Sequence, residues 1–147
     1  MKRLVLTEYS LSGLRLEEGV AVSCPDGSVR VSVSYSGISF TDVIVSLGMY
    51  EYQRTHAPLP LVPGFEFSGH VIESRSKDFS IGDRVCGITR FGAFQQEIVV
   101  SDFCIIHIPD TCPLSIAAAL PVNLLTAHHA VEMLPPHVAS ALVLGAS

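Results

Sequence analysis

The chain has 147 residues, 48% apolar and 16% charged, a balance that excludes a disordered chain and allows one domain with a sizeable core. A formal net charge of −5 and the absence of Trp exclude a basic, base-stacking partner for nucleic acid. The longest apolar region, Ile116 to Ala127, is broken by Pro121, Asn123 and Thr126 and falls short of the ~20 residues a transmembrane helix needs.

Leu4 to Thr7 is a short apolar run, ended by Thr7 and Glu8 before the roughly 7–15 residues of a secretory h-region, so a cytoplasmic protein is expected. Pro25-Asp26-Gly27-Ser28 reads as a turn, and Val29 to Ser34 alternates with the period of a strand wet on one face. Ser39 or Thr41 caps a short helix over Asp42 to Leu47, which Gly48 ends. Tyr50 to Pro63, with Pro58, Pro60 and Pro63, reads as an irregular loop. Strands are expected over Glu66–Glu73, Arg84–Ile88, Phe94–Val100 and Phe103–Ile108, with a turn at Ser80–Asp83. Many short strands between turns point to a small β-barrel or sandwich. From Pro113 the pattern becomes helical: Leu114–Leu120, then Asn123–Leu134 with Leu124, Ala127, His128 and Val131 on one face, stopped by Pro135-Pro136. Ala141 to Gly145 is an apolar run reaching a glycine, the way a dinucleotide fold begins.

Cys24, Cys86, Cys104 and Cys112 form no C-x-x-C pair and read as free thiols, mostly buried. His128 and His129 are adjacent and point about 100° apart on a helix, so they cannot chelate one ion together. Glu66, on a buried strand, needs a partner, for which Arg84 is the natural candidate.

A series of short motifs in fixed order carries a resemblance. They are Gly37-Ile38-Ser39-Phe40-Thr41-Asp42, Gly48-Met49-Tyr50, Leu59 through Val71, Gly82-Asp83-Arg84-Val85, Gly92-Ala93-Phe94, Ala117 through Val122, and Leu125-Thr126-Ala127. The chain resembles the N-terminal, GroES-like catalytic domain of the medium-chain dehydrogenase/reductase superfamily, in the zinc-free quinone oxidoreductase and VAT-1-like branch. The resemblance implies a mainly β fold with α: a GroES-like, partly open β-barrel followed by helices and the first strand of a truncated Rossmann domain. It implies a substrate-side domain over residues 1–120 and, over 121–147, a junction helix and the start of a cofactor-binding domain. Zinc-dependent relatives carry a Cys at the position of Ser39 and a His at that of Phe65. A hydroxyl and a phenyl ring replace neither, so no catalytic or structural zinc is expected.

What the resemblance then implies is hydride transfer from NADPH to a conjugated carbonyl, a quinone or an enone, in a cleft shared with a missing cofactor-binding domain. Ser39 stands where this branch usually has an Asn facing the nicotinamide, Tyr50 matches the Tyr of Gly-x-Tyr, and Thr126 lies in the Thr-Ala pair near the nicotinamide. Ser39, Asp42 and Tyr50 are the candidate catalytic residues, and Ser39, Tyr50 and Thr126 the candidate cofactor contacts. Read from residues alone, Ser39 is equally an N-cap, Asp42 a helix-dipole partner, and Thr126 a back-bonded helix threonine. The chain by itself is expected to be inactive, and to self-associate through the face of its last helices. The alternatives are the enoyl-reductase domain of a fatty-acid or polyketide synthase, which shares Gly-Met-Tyr and Gly-Ala-Phe, and a non-catalytic VAT-1-like binding module.

Overall fold

The computed structural model describes residues 1–144. Strands β1 (Lys2–Leu6) and β2 (Leu14–Glu18) pair antiparallel as a ribbon. A five-stranded antiparallel sheet runs in the order β6 (Glu97–Ser101), β3 (Ser28–Ser36), β4 (Glu66–Ser74), β5 (Arg84–Ile88), β7 (Ile105–His107). Backbone hydrogen bonds lash the ribbon to it: the Leu4 N–H donates to Phe94 O, and the Gln96 N–H to Lys2 O. Edges β6 and β7 do not pair with each other, so the barrel is partly open as expected.

The period-2 pattern of β3 is realised: Val29 and Val31 are fully buried against Phe67, Val71, Val85 and Ile98. β4 crosses the middle of the sheet, and Gly69 lets it approach β3. A Cβ there would lie 2.0 Å from the Ser32 carbonyl oxygen. Ribbon β2 escaped the sequence reading because its alternation lasts only four residues and both its faces are largely wet. The strand expected from Phe94 begins at Glu97, since Phe94 and Gln96 bond to β1 instead.

Helices α1 (Phe40–Ser46) and α2 (Glu51–His56) follow β3. The second corrects the expectation of an irregular loop over Tyr50–Pro63. Its three prolines all lie beyond His56, and Glu51 and Arg54 complement the helix dipole. Gln53 anchors α2 from inside, donating from Nε2 to Ala57 O at 2.8 Å and to the Tyr9 hydroxyl at 3.2 Å. Beneath these helices Leu6, Val45 and Leu61 form a second small core, on which Tyr50, Phe65 and Phe91 pack.

Helices α3 (Leu114–Ala117) and α4 (Pro121–Glu132) close the described chain. Ser68 Oγ donates to Leu114 O at 2.6 Å and ties α3 to β4. α4 lies against β5 and is buried only at Pro121. Its expected apolar face is open: Leu124 and Val131 are 57% and 64% exposed. Ala141–Leu144 pair with no strand among the described residues, and Gly145, where the expected run ends, lies outside them.

Candidate functional site

Ser39 precedes α1 as its N-cap and forms a reciprocal capping box with Asp42. The Ser39 backbone N–H donates to Asp42 Oδ2 at 2.8 Å, and the Ser39 hydroxyl donates to the same oxygen at 3.2 Å. Asp42 is buried, and its Oδ1 has no hydrogen-bond partner among the described residues. Burial raises its pKa above the ordinary carboxylate range, against the pull of the hydrogen bonds from Ser39.

Tyr50 stands at the start of α2, its ring edge-on to Phe65 at 6.1 Å between centroids. Thr126 lies on α4, where its hydroxyl donates to Val122 O at 2.7 Å, the back-bonding expected of a helical threonine. One cleft of about 360 Å³ collects them: Ser39, Thr41, Tyr50, Thr89 and Thr126 give it hydroxyls, and Phe65, Ile88, Val122 and Leu125 an apolar surface. The structure thus brings Ser39, Tyr50 and Thr126 together. Asp42 is not among the cleft-lining residues; it touches the site through Ser39.

Glu66 holds the far wall. Its Oε2 accepts from the Val122 N–H in the first turn of α4 at 3.0 Å, and the carboxylate is pressed against Gly37. This corrects the expected pairing with Arg84, which grips Pro109 O at 2.8 Å and Cys112 O at 2.6 Å and pairs with Asp110 at 3.3 Å. Burial raises the Glu66 pKa, the Val122 N–H lowers it, and the nearby Asp42 charge raises it further. The role of Glu66 escaped the sequence because its partner is a backbone group 56 residues away.

On the other side of α4 lies an apolar groove of about 600 Å³ against β5 and β7, and Leu125 lines both spaces. Cys86, Cys104 and Cys112 line this groove. All four cysteines are free; Cys24 and Cys86 are buried, whereas Cys104 and Cys112 are partly exposed. Burial pushes the Cys86 thiol up, away from thiolate.

A zinc ion in the cleft would need thiolate, imidazole or carboxylate donors. Ser39 offers a hydroxyl, Phe65 a ring packed on the second core, and Glu66 is a lone carboxylate whose Oε2 is held by the Val122 N–H. This donor set does not fit zinc. Among the described residues no three His, Cys, Asp or Glu side chains converge to hold a metal.

An open antiparallel barrel with a hydroxyl-lined cleft under a following helix defines a GroES-like domain. Residues 25–110 match the alcohol dehydrogenase GroES-like domain family, and the chain belongs to it. It is similar to quinone oxidoreductase-like protein 2 of Bos taurus, 40% identical over 106 residues, covering 71% of this chain and 30% of that protein. The crystal structure of the human synaptic vesicle membrane protein VAT-1 homolog-like protein superposes with a TM-score of 0.82 at 33% identity, covering 87% of this chain and 41% of that one. The crystal structure of CurK enoyl reductase gives 0.83 at 26% identity, covering 90% and 42%. The chain spans about 30% of the length of the quinone oxidoreductase-like relative. The resemblance read from the motifs, to the quinone oxidoreductase and VAT-1-like branch, therefore holds.

Proposed function

We propose that this chain is the substrate-side domain of an NADPH-dependent, zinc-independent reductase of a conjugated carbonyl, a quinone or an enone. The observation that carries the reading is the convergence of Ser39, Tyr50 and Thr126, from three separate elements, on one cleft with an apolar floor and no metal donor set. Residues 121–147 serve as the junction with a cofactor-binding domain, so the chain alone is inactive. Four free thiols fit a cytoplasmic location, and no described helix is long and apolar enough to cross a membrane.

The cleft's composition fits a nicotinamide: apolar residues for the ring and hydroxyls for its carboxamide. Bound NADPH would supply the hydride. The chain's own residues do the rest. Thr126 has spent its proton on Val122 O and keeps its lone pairs, so it would help hold the nicotinamide as an acceptor for the carboxamide N–H. Tyr50 donates a hydrogen bond to the carbonyl oxygen as negative charge builds there, and Ser39, its proton held by Asp42 Oδ2, would offer a lone pair to the second carboxamide N–H. Asp42 acts as a positioning residue that holds Ser39 in its rotamer. Phe65, Ile88 and Leu125 exclude water from the acceptor carbon.

The experiment is NADPH oxidation by the full-length gene product, with a quinone and with a neutral enone. Tyr50→Phe should lower kcat by roughly 100–1000-fold, the loss typical of one oxyanion donor, and Ser39→Ala should raise the KM for NADPH with a smaller effect on kcat. Turnover of neither acceptor refutes the reading. The likeness to CurK enoyl reductase favours a second reading, an enoyl thioester as acceptor. Preference for a thioester over a quinone in the same assay distinguishes it.

A further inference from the structure

One arginine stands beside the cleft of a chain that is acidic overall. Arg90 follows Thr89, which lines the cleft, and α2 carries Arg54 and His56. The Arg90 guanidinium lies 4.6 Å from the centroid of the Tyr52 ring, and its Nη1 donates to the Tyr52 hydroxyl. The Tyr52 ring stacks on His56 at 4.3 Å and stands 6.4 Å from Tyr50, itself a cleft residue. Acidic side chains outnumber Lys and Arg by 14 to 9. Arg3 and Arg84 each pair with one, and Arg30 and Arg75 with two. Among the described residues Arg90 pairs with none, as do Lys2, Arg15, Arg54 and Lys77; Arg90 alone of these lies on an aromatic ring next to the cleft.

An exposed arginine ordinarily samples many rotamers. This one is held on an aromatic ring, with a fork of N–H donors of which one is used, one residue from the cleft wall. Such a group matches a carboxylate or a phosphate. We propose that Arg90, held by Tyr52, binds an anionic group carried by the substrate beyond its reacting carbonyl. The proposal rests on the reading of the cleft as a carbonyl-reduction site and adds the charge class of its substrate.

The test titrates the full-length gene product, which carries both sides of the cleft, with three unreactive aryl ketones: 4-methylacetophenone, 4-acetylbenzoate and 4-acetylphenyl phosphate. Amide signals of Thr126 and Ile88 report the cleft, and the Arg90 Nε–H signal reports the lip. At low salt at least one anionic ketone should bind about 3–5-fold more tightly than the neutral one, the size of an exposed ion pair, and should move the Arg90 signal. Which anion gains separates a carboxylate substrate from a phosphate-bearing one. The advantage should vanish in Arg90→Met, which keeps the aliphatic stem, and shrink with added salt. Neutral and anionic ketones binding alike overturn the proposal and leave the cleft reading standing, as does an anionic advantage that survives Arg90→Met. If no ketone moves Thr126 or Ile88, the cleft reading fails and the proposal falls with it.

Discussion

Glu66 is the point where the sheet holds the wall of the cleft, and two substitutions there separate its charge from its hydrogen bond. Glu66→Gln keeps a carbonyl oxygen for the Val122 N–H and removes the charge. Glu66→Ala removes both. The buried acceptor is worth about 1 kcal/mol, the N–H it leaves unpartnered costs about another, and the lost buried methylene adds about 0.8 kcal/mol. Glu66→Ala should therefore be on the order of 2–3 kcal/mol less stable than Glu66→Gln, a drop of roughly 6–10 °C in Tm at this size. Hydrogen exchange should place the loss, with amides of α4 exchanging faster in the alanine variant and unchanged in the glutamine variant.

The charge has its own signature. The folded-state pKa of Glu66 lies above the ordinary carboxylate value, so between the two the folded chain binds a proton that the unfolded chain has released. Stability contributed this way is complete below the unfolded pKa and is lost as pH rises through the folded one. Asp42 acts in the same direction. Glu66→Gln should flatten the fall in stability between weakly acidic and neutral pH and be at least as stable as the parent at pH 7. Melting curves at pH 5 and pH 7, followed by circular dichroism, check both expectations. Equal melting of the two variants, or α4 exchange untouched by alanine, refutes the latch.

Arg84→Lys keeps the charge and loses the fork that grips Pro109 O and Cys112 O, so about 1 kcal/mol should go, read by thermal unfolding. An unchanged melt would show that these bonds contribute nothing. Gly69→Ala drives a Cβ onto the Ser32 carbonyl, where only backbone can yield, and should cost about 2–3 kcal/mol by denaturant unfolding. The open face of α4 should make the chain self-associate, and Leu124→Glu with Val131→Glu should restore a monomer in sedimentation. A wild-type monomer at high concentration counts against that interface.

What the sequence discloses is local. Alternation places Val29 and Val31 in the core, Gly27 marks the turn before them, and Ser39 with Asp42 spells a helix start, because each signal lies within a few residues. α2 is masked by prolines that follow it, and β2 by its brevity. The partner of Glu66 is misread for a deeper reason. Charge complementarity suggests Arg84, but the buried carboxylate is met by a helix N–H, and a backbone donor has no letter in the sequence. The contact between Arg90 and Tyr52 is equally silent, since it exists only where two segments 38 residues apart meet.

The two sides of the cleft are anchored unequally, and that asymmetry divides their tasks. Ser39 and Tyr50 sit on short helices fixed from below by Asp42, Gln53 and the second core, so their positions are set by the barrel itself. Val122, Leu125 and Thr126 ride on a helix whose surface is almost wholly open and whose first turn is held by one carboxylate. On the proposed reading, recognition of the acceptor would belong to the well-packed side. Placement of the opposite wall depends on α4, whose exposed leucines and valine leave it to be positioned by whatever packs against them.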